Sequence, residues 1–392
     1  MRRVGVVSVG RSDYSILRPV LNSISKNPQL SLELIVSGMH LVPEFGYTVR
    51  DIEKDGWNIV DRLEHVVAAD TPSGISKSIG LGVIGFSDIF AKNKPDILLL
   101  MGDRFEMFCA AVAAQPFSLP VAHIHGGETT EGAIDEAFRH SITKMSHIHF
   151  ATTINHKNRI IQLGEDPKNV VISGAPALDN VKQIKIQKWE KLKLDLNLCF
   201  PQDVLPFLVT MHPETVLPQQ NLQNLEKLFS ALEIENSTAV FTAANADTMG
   251  RAINEAIEKR CAKNKNFVFR PNLGLDLYYQ FMANCRAMIG NSSSGIIEAA
   301  SFKTPVINVG SRQKGRTKGI NVIDANFEVQ SIVKSIHMLK SRSFAGGLRA
   351  CANPYFFGGA SKIIADKLLN VELESQLMLK KFFDYELKGL TG

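Results

Sequence analysis

The residues best suited to chemistry form two short runs rich in histidine and carboxylate. The sequence HIHGGE occupies residues 123–128, and DEAFRH occupies residues 135–140. The first run begins in an apolar stretch typical of a strand and turns on two glycines, and the second run lies in a helical pattern. Acids and histidines that share one cleft can take up and release protons during a reaction. We therefore predict a proton-transfer site in which several acids and a histidine act together.

The same histidines raise the alternative of a metal site. His123 and His125 are two residues apart, so they would fall on one face of a strand. Together with Glu128 they have the chemistry of metal ligands. Because no second cluster in the sequence supplies further ligands, we favour proton transfer and predict no metal.

A second segment, residues 290–298 with the sequence GNSSSGIIE, has the composition of a phosphate site. It lies between an apolar run that reads as a buried strand and the start of a helical pattern. Backbone N–H groups and the helix dipole at such a junction suit a phosphate, and the glycines permit close approach. An ordinary capped helix is the alternative, since serine and asparagine are common caps. Glu298 could accept hydrogen bonds from the hydroxyls of a sugar.

Polar residues follow several other predicted strands. Arg11 comes after the first strand and could clamp a phosphate. Asp103 and Arg104 follow a later strand, and such a pair costs desolvation unless it is used or paired. In the second half His212 ends one strand, and a loop with three cations, residues 311–316, follows another. That loop lies one strand after the serine-rich turn, which favours a diphosphate neighbourhood.

Strands and helices alternate along the whole chain, which has 392 residues. Continuous apolar strands separated by helices predict parallel sheets covered on both faces. We predict an α/β fold of two Rossmann-like doubly wound domains facing a cleft, with ligands at the carboxyl ends of the strands. The expected boundaries are residues 1–180 for the first domain, 181–365 for the second and 366–392 for a C-terminal helix. The predicted strands are residues 4–9, 32–36, 97–101, 121–124, 149–151 and 170–172, then 207–211, 239–243, 267–269, 287–289 and 306–309.

The composition of the chain indicates which kinds of partner the protein can have. The hydrophobic content of 45% and charged content of 21% are those of a globular protein. A net charge of +5 without a dense basic run does not indicate nucleic acid. We expect no membrane-spanning segment, because no apolar run reaches the required length. The five cysteines are scattered and never form a Cys-x-x-Cys pair, which favours reduced thiols and a cytoplasmic location.

Taken together and in this order, the motifs resemble the UDP-N-acetylglucosamine 2-epimerase family. More narrowly, they resemble its hydrolysing branch, which supplies N-acetylmannosamine-type sugars for sialic-acid-like nonulosonates. The motifs that carry the resemblance are residues 10–14, 102–105, 123–128, 135–140, 212–214, 290–298 and 310–316. They span almost the full chain, and only their joint occurrence is specific.

The resemblance implies a glycosyltransferase-B-like fold in which the second domain binds most of UDP. The positions that it assigns to the nucleotide are Arg11, Ser15, His212, Asn245 and Arg312, with Ser292 and Ser293 on the diphosphate and Glu298 on the ribose. The positions near the reacting sugar are Asp103, Arg104, Glu128 and Asp135, and Arg139 is a further substrate-binding candidate. His125 and His212 join Asp103, Glu128 and Asp135 as catalytic candidates. Some relatives carry glutamate at the position of His125, so the role of that acid does not transfer unchanged.

The implied reaction converts UDP-GlcNAc to N-acetylmannosamine and UDP, by anti elimination of UDP and hydration of a glycal. It needs an acid, a base and stabilisation of the departing diphosphate, and it requires no cofactor. The same reaction on UDP-2,4-diacetamido-2,4,6-trideoxyglucose (UDP-N,N'-diacetylbacillosamine), for legionaminic acid, is the first alternative. A non-hydrolysing epimerase, a glycosyltransferase and a UDP-sugar-binding regulatory protein are the others. The long apolar pattern over residues 75–91 suggests a homodimer or a dimer of dimers.

Overall fold

The computed structural model describes residues 1–67, 71–131, 133–182, 184–201, 203–214, 218–244 and 249–384. The chain divides into two compact units. The first comprises Met1–Glu128, Asp135–Asp179 and Tyr355–Gly392, and the second comprises Thr129–Ile134 and Asn180–Pro354. The chain therefore returns to the first unit at Tyr355, earlier than the boundary expected at residue 366.

The first unit is built on a parallel sheet with the strand order β3-β2-β1-β4-β5-β6-β7 in the described residues. Its strands are β1 (Arg2–Ser8), β2 (Leu30–Ser37), β3 (Ile59–Leu63), β4 (Ile97–Met101), β5 (Val121–Ile124), β6 (Ile148–Ala151) and β7 (Val170–Ile172). Alternate residues of the same strands enter different core clusters: Leu99 belongs to one, whereas Leu98 and Leu100 belong to the other. The sheet is thus covered on both faces, as its continuous apolar strands predict.

The second unit repeats this plan, with the strand order β10-β9-β8-β11-β12-β13 in its described part. Its strands are parallel: β8 (Phe207–Thr210), β9 (Ala239–Thr242), β10 (Phe267–Phe269), β11 (Met288–Gly290), β12 (Val306–Val309) and β13 (Val322–Ala325). Two core clusters again take alternate residues, with Val209 in one and Leu208 in the other. The predicted α/β class with two doubly wound, Rossmann-like domains is confirmed.

Helices cover the sheets because their apolar residues recur at helical spacing. In α1, for example, Leu17, Val20, Leu21 and Ile24 are buried. The described helices are α1 (Arg11–Ser25), α2 (Val49–Lys54), α3 (Pro72–Lys92), α4 (Phe105–Ala114), α5 (Asp135–Met145), α6 (Ile154–Gln162), α7 (Ala177–Val181), α8 (Trp189–Asp195), α9 (Asn221–Ile234), α10 (Gly250–Lys263), α11 (Gly274–Asn284), α12 (Ser293–Ile297), α13 (Val329–Met338), α14 (Arg342–Arg349), α15 (Ala360–Asn370) and α16 (Ser375–Met378).

The C-terminal region differs from the expected single helix over residues 366–392. Helix α15 begins at Ala360 and packs against α1, and its Ile364 and Leu368 lie in the core of the first unit. The short helix α16 follows, and residues 379–384 are not helical. Residues 385–392 lie outside the described residues.

The predicted strands agree with the structure to within two residues at each end, but two edge strands were missed. These are β3, with the sequence IVDRL, and β13, with the sequence VIDA. Both carry charged residues, which edge strands tolerate because one side of the ladder is unpaired. Their patterns therefore lack the continuous apolar signal of the central strands.

The expectation that no apolar run reaches the length of a membrane span is wrong for helix α3. Its 21 residues are long and apolar enough to cross a membrane by length and composition alone, although only 33% of its most apolar window is buried. Helices of globular cores pass the same test. In this structure α3 packs along α4, with Phe86 and Phe90 buried.

Each sheet changes winding direction between two neighbouring strands, and ligands bind at the carboxyl ends of such strands in doubly wound folds. In the first unit these strands are β1 and β4, and in the second they are β8 and β11. The residues that follow them include Arg11, Asp103, His212 and Ser292. The topology thus places the predicted site residues where such folds bind ligands.

Candidate active site

In the first unit, Arg139 connects two segments that end neighbouring strands. Its guanidinium donates one hydrogen bond to the carboxylate of Asp103, after β4, and another to the backbone carbonyl of His125, after β5, at 3.1 Å. Arg139 is buried, whereas the Asp103 side chain is 20% exposed. Burial opposes the charge of Arg139, but the carboxylates of Asp103 and Glu128 outweigh it and raise the pKa of Arg139. Arg139 therefore stays charged and keeps Asp103 in a charge-assisted pair.

His125 is held from both its backbone and its side chain. Its φ angle is +66°, a left-handed conformation that few residues other than glycine adopt. Its backbone N–H donates to the carbonyl of Phe150 at 3.2 Å. Its Nδ1 atom lies 2.6 Å from Oε1 of Glu128. Because an ionised carboxylate can only accept, this contact places a ring hydrogen on Nδ1, and in the neutral ring the lone pair then lies on Nε2.

The His125–Glu128 pair is connected to β6 through Thr152, which directly follows that strand. The Thr152 hydroxyl donates to the same Oε1 atom of Glu128 at 2.8 Å, and it lies 2.7 Å from Nδ1 of His156. Glu128, Thr152 and His156 are all buried. Such a chain fixes the orientation of the carboxylate that holds His125.

The prediction that His123 and His125 share one strand face is wrong, and the contacts of His123 differ from those of His125. Strand β5 ends at Ile124, so the left-handed turn at His125 breaks the alternation. His123 donates from Nε2 to the carbonyl of Gly102 at 2.7 Å. Burial lowers the pKa of His123 to about 3, so the ring is neutral. Among the described residues, no group of three or more His, Cys, Asp or Glu side chains is placed to hold a metal ion.

The other predicted residues of the first unit lie on the same edge of the sheet. Arg104 precedes α4, and its Nε atom lies 3.5 Å from the buried carboxylate of Glu106. Arg11 is the first residue of α1 and is exposed, and the Ser15 hydroxyl donates to its carbonyl at 2.9 Å. Asp135 is the first residue of α5, the helix that carries Arg139.

In the second unit, Asn291 joins the serine-rich turn to the end of β8. Its side-chain oxygen accepts from the backbone N–H of His212 at 2.7 Å, and its amide group donates to the His212 carbonyl at 2.8 Å. The preceding Gly290 has a φ of +136°, and a Cβ atom there would lie 1.9 Å from the Thr210 carbonyl oxygen. Only glycine permits this approach, which brings His212 beside the serine-rich turn.

The serines of the turn differ in their contacts. Ser292 caps α12 by accepting from the backbone N–H of Ser294 at 3.4 Å. The Ser294 hydroxyl lies 2.6 Å from the Tyr278 hydroxyl, so it is engaged within the unit. The structure gives the Ser293 hydroxyl no hydrogen-bond partner within the described part of the chain. The Ser292 hydroxyl also lies 2.9 Å from the Ser294 hydroxyl, so Ser293 is the serine of the turn that is best placed to bind a ligand.

The basic loop, residues 311–316, contacts the same turn. Arg312 donates to the carbonyl of Asn291 at 3.5 Å, and Gln313 donates to it at 2.8 Å. Glu298 directly follows α12 and is buried. The structure thus brings His212, Ser292, Ser293, Arg312 and Glu298 into one part of the second unit. Asn245 lies outside the described residues.

Sequence reasoning assigned no role to several residues that shape these clusters. Asn291 and Gln313 lay inside motifs that the sequence marked, so position alone could have found them. Tyr278 on α11 and Thr152 after β6 gave no signal, because each meets the cluster only through packing of distant segments.

The fold and the two clusters define the class: a chain of two Rossmann-like units of the glycosyltransferase-B kind, with an acid–histidine cluster in one unit and a serine-rich turn in the other. The chain belongs to the UDP-N-acetylglucosamine 2-epimerase family, whose profile matches residues 22–369. The resemblance predicted from the motifs is confirmed.

Three relatives illustrate the similarity. The GDP/UDP-N,N'-diacetylbacillosamine 2-epimerase (hydrolyzing) of Campylobacter jejuni is 38% identical over 98% of this chain and 99% of its own. The UDP-N,N'-diacetylbacillosamine 2-epimerase (hydrolyzing) of Legionella pneumophila is 33% identical over 97% and 99%. The solved UDP-GlcNAc 2-epimerase of Neisseria meningitidis, bound to UDP-GlcNAc, superposes with a TM-score of 0.80 at 19% identity, over 95% of this chain and 100% of that chain.

Proposed function

We propose that this protein is a hydrolysing UDP-2-acetamido-sugar 2-epimerase, which releases UDP and a free manno-configured sugar for nonulosonate biosynthesis. The observation that carries the proposal is the buried acid–histidine cluster of the first unit, in which Asp103, Arg139, His125 and Glu128 are joined by hydrogen bonds. A relative of this family that is 38% identical over 98% of the chain is named for the hydrolysing reaction.

The second unit would bind the leaving group. Ser292 and Ser293 would hold the diphosphate, Arg312 would offset its charge, and Glu298 would accept hydrogen bonds from the ribose hydroxyls. Arg11 and Ser15 of the first unit, together with His212 and Asn245, complete the proposed nucleotide contacts. Stabilisation of the departing diphosphate matters because the proton on carbon 2 of the sugar is barely acidic.

The first unit would move the protons. Removal of the carbon 2 proton with anti loss of UDP gives a 2-acetamidoglycal. Water then adds at carbon 1, and a proton arrives at carbon 2 from the opposite face. The groups proposed to take part in these transfers, directly or through a neighbouring side chain, are Asp103, His125, Glu128 and Asp135, with Arg104 and Arg139 orienting the sugar and the acids.

We propose UDP-2,4-diacetamido-2,4,6-trideoxyglucose as the preferred substrate and UDP-GlcNAc as the alternative. Two relatives with identities of 38% and 33% are named for the diacetamido sugar, whereas a Neisseria meningitidis enzyme named for UDP-GlcNAc is 27% identical. The two sugars differ at carbons 4 and 6, so the shape and polarity around those carbons would decide.

The test is incubation of the protein with each UDP-sugar, side by side, in deuterated water. We expect free UDP and a manno sugar that carries deuterium at carbon 2, with the diacetamido substrate turning over faster. Interconversion of UDP-sugars without free UDP would instead identify a non-hydrolysing epimerase. Binding of UDP without turnover of either sugar would identify a regulatory protein and sink the proposal.

We also propose a cytoplasmic homodimer. Leu81 and Ile84 on α3 are 49% and 62% exposed, and an apolar face of this kind on a long helix suits contact with a second copy. The five cysteines are all free, as expected of a reducing compartment. Replacing Leu81 and Ile84 by aspartate should convert a dimer to a monomer in light scattering, and an unchanged mass would remove α3 from the interface.

A further inference from the structure

Three features occur together at His125. Its backbone is left-handed with φ +66°, a conformation that is unfavourable for a residue with a side chain. Its Nδ1 atom is fixed by Glu128 at 2.6 Å. Its Nε2 atom is buried and, within the described ranges of the chain, has no hydrogen-bond partner. A buried polar atom without a partner is costly, so this nitrogen needs an occupant that the chain does not supply.

The surroundings indicate what that occupant does. The His125 carbonyl is held by Arg139, and the same guanidinium holds Asp103. His125 follows β5, the strand next to β4, on the ligand-binding edge of the sheet. An imidazole whose Nδ1–H is donated to a carboxylate presents the lone pair of Nε2 as a base.

We propose that Nε2 of His125 is the base that removes the carbon 2 proton of the UDP-sugar, and that Glu128 is its positioning residue. This inference rests on the proposed function and adds the assignment of the base. It also changes the expected role of Glu128. That side chain is 1% exposed and its Oε1 accepts from both His125 and Thr152, so it acts through the imidazole and does not itself contact the sugar.

In the elimination step, the lone pair of Nε2 forms a bond to the proton on carbon 2. The electrons of the C–H bond become the second bond between carbons 1 and 2. The bond from carbon 1 to oxygen breaks, and its electron pair leaves on the β-phosphate oxygen of UDP. The imidazole becomes an imidazolium whose charge faces the carboxylate of Glu128, and it later releases its proton to water.

Hydration uses a different group. The oxygen of water bonds to carbon 1, and the double-bond electrons take a proton at carbon 2 from an acid on the opposite face. The proton that the water loses regenerates that acid. Asp103 and Asp135 are the candidates, because both lie on the same edge of the unit. Loss of His125 should therefore affect elimination much more than hydration.

The central variant is His125→Asn. Asparagine tolerates the left-handed backbone and keeps a donor toward Glu128, but it cannot carry a proton at the position of Nε2. We expect kcat for UDP release to fall by roughly 10²–10⁴-fold, with KM and UDP affinity nearly unchanged. The rate at which the variant hydrates the corresponding 2-acetamidoglycal, added together with UDP, should stay within about tenfold of the wild-type rate.

A second variant covers the case in which His125→Asn fails to bind UDP in calorimetry. His125→Gly suits the positive φ, and added imidazole should restore part of the lost UDP release. Glu128→Gln should lower kcat with little change in KM, because the imidazolium loses its counter-charge. If Glu128→Gln raised KM and left kcat unchanged, Glu128 would not be a positioning residue.

His149→Gln is the matched control. His149 is also buried in the first unit, and its Nε2 atom lies 3.0 Å from Oε2 of Glu165. It lies within β6, away from the ligand-binding edge, and glutamine can keep its hydrogen bond. We expect its kcat to match that of the wild type.

Two results would overturn the inference: UDP release by His125→Asn at a rate near that of the wild type, or equal losses in elimination and hydration. Failure of the wild-type protein to release UDP from either substrate would instead refute the proposed function. The two failures are therefore distinguishable.

Discussion

Arg139 on α5 donates a hydrogen bond to Asp103, although the two residues lie 36 positions apart in the chain. The same guanidinium reaches the carbonyl of His125 at 3.1 Å, so one side chain positions two segments of the predicted proton-transfer site. A lysine cannot make both contacts, because its ammonium is a point charge without the planar fork of arginine.

For this reason we expect Arg139→Lys to lower kcat by at least about 10²-fold while the protein stays folded. Steady-state kinetics of UDP release would measure the loss, and circular dichroism would check the fold. Arg18→Lys is the control, since Arg18 forms an exposed pair with Asp55 at 3.0 Å. Equal kcat values in the two variants would show that Arg139 does not position the acids.

The serine-rich turn allows a test of diphosphate binding. Replacing Ser292 and Ser293 together by alanine should weaken UDP binding about tenfold, because two hydroxyl donors to a charged group are lost. Isothermal titration calorimetry with UDP would measure the change. Ser230→Ala, on the exposed face of α9, is a matched loss of one hydroxyl. A double variant that is folded and binds UDP as tightly as the wild type would leave the turn as a plain helix cap.

Gly290 tests whether the turn requires glycine. A Cβ atom at this position would lie 1.9 Å from the Thr210 carbonyl oxygen, and φ is +136°. We expect Gly290→Ala to lower stability by more than about 3 kcal/mol and to abolish UDP binding. Gly346→Ala is the control: Gly346 lies in α14 with open space around it, so alanine should leave stability unchanged or raise it by about 1 kcal/mol. Similar melting temperatures for both variants would contradict the structure at Gly290.

Glu165 should make stability depend on pH in acid. Burial alone would raise its pKa, but hydrogen bonds from His149, Lys144 and Lys380 outweigh burial and lower the pKa of Glu165 to about 2. Since the ordinary pKa of a glutamate is 4.5, this group stabilises the folded state above pH 4.5, and the contribution is lost as pH falls toward 2. The full contribution is about 3 kcal/mol.

Urea unfolding of the wild type and Glu165→Gln between pH 7 and pH 3 would test this. We expect the variant to be less stable at pH 7 and the difference to shrink as the pH falls. Glu226→Gln, which removes an exposed carboxylate paired with Arg260, is the control. Parallel curves for the wild type and Glu165→Gln would refute the assignment.

Asp13 should make the stability of the folded state fall as pH rises, which is the opposite of the effect of Glu165. Burial raises its pKa to about 6 from the ordinary value of 3.8, despite hydrogen bonds from Val9 and Ser8. The folded state therefore holds a proton that the unfolded state has lost between these values, and the stabilisation present below pH 3.8 is lost as pH rises through 6. The size of the effect is about 3 kcal/mol.

Asp13→Asn keeps a side-chain acceptor for the Val9 N–H and cannot ionise. We expect its melting temperature, relative to the wild type, to be higher at pH 8 than at pH 4. Burial lowers the pKa of the neighbouring His40 to about 4, so His40 is neutral over most of this pH range and contributes little to the difference. A difference that stays constant with pH would mean that Asp13 does not titrate in this range.

The pattern of apolar and polar residues in the sequence was enough to predict the fold class and the sheet edges at which the candidate site residues lie. Apolar runs such as β4 and β12 are buried on both faces, so β4 contains no polar residue and β12 contains only Asn308, and both are assigned correctly as strands. Polar residues that directly follow a parallel strand must lie at its carboxyl end, which is why Asp103, His125 and His212 were found. The edge strands β3 and β13 were missed because their exposed positions carry charged residues, which interrupt the apolar pattern.

Only the tertiary structure decided which of these polar side chains meet. The left-handed turn at His125, the bond from Arg139 to Asp103 and the ties of Asn291 to His212 join segments that are distant in sequence or break a regular pattern. Residue spacing reports periodicity within one element, whereas these contacts depend on how separate elements pack. The sequence therefore located the candidate residues at strand ends, and the packing of α5 against the sheet brought Arg139 into contact with Asp103 and with the His125 carbonyl.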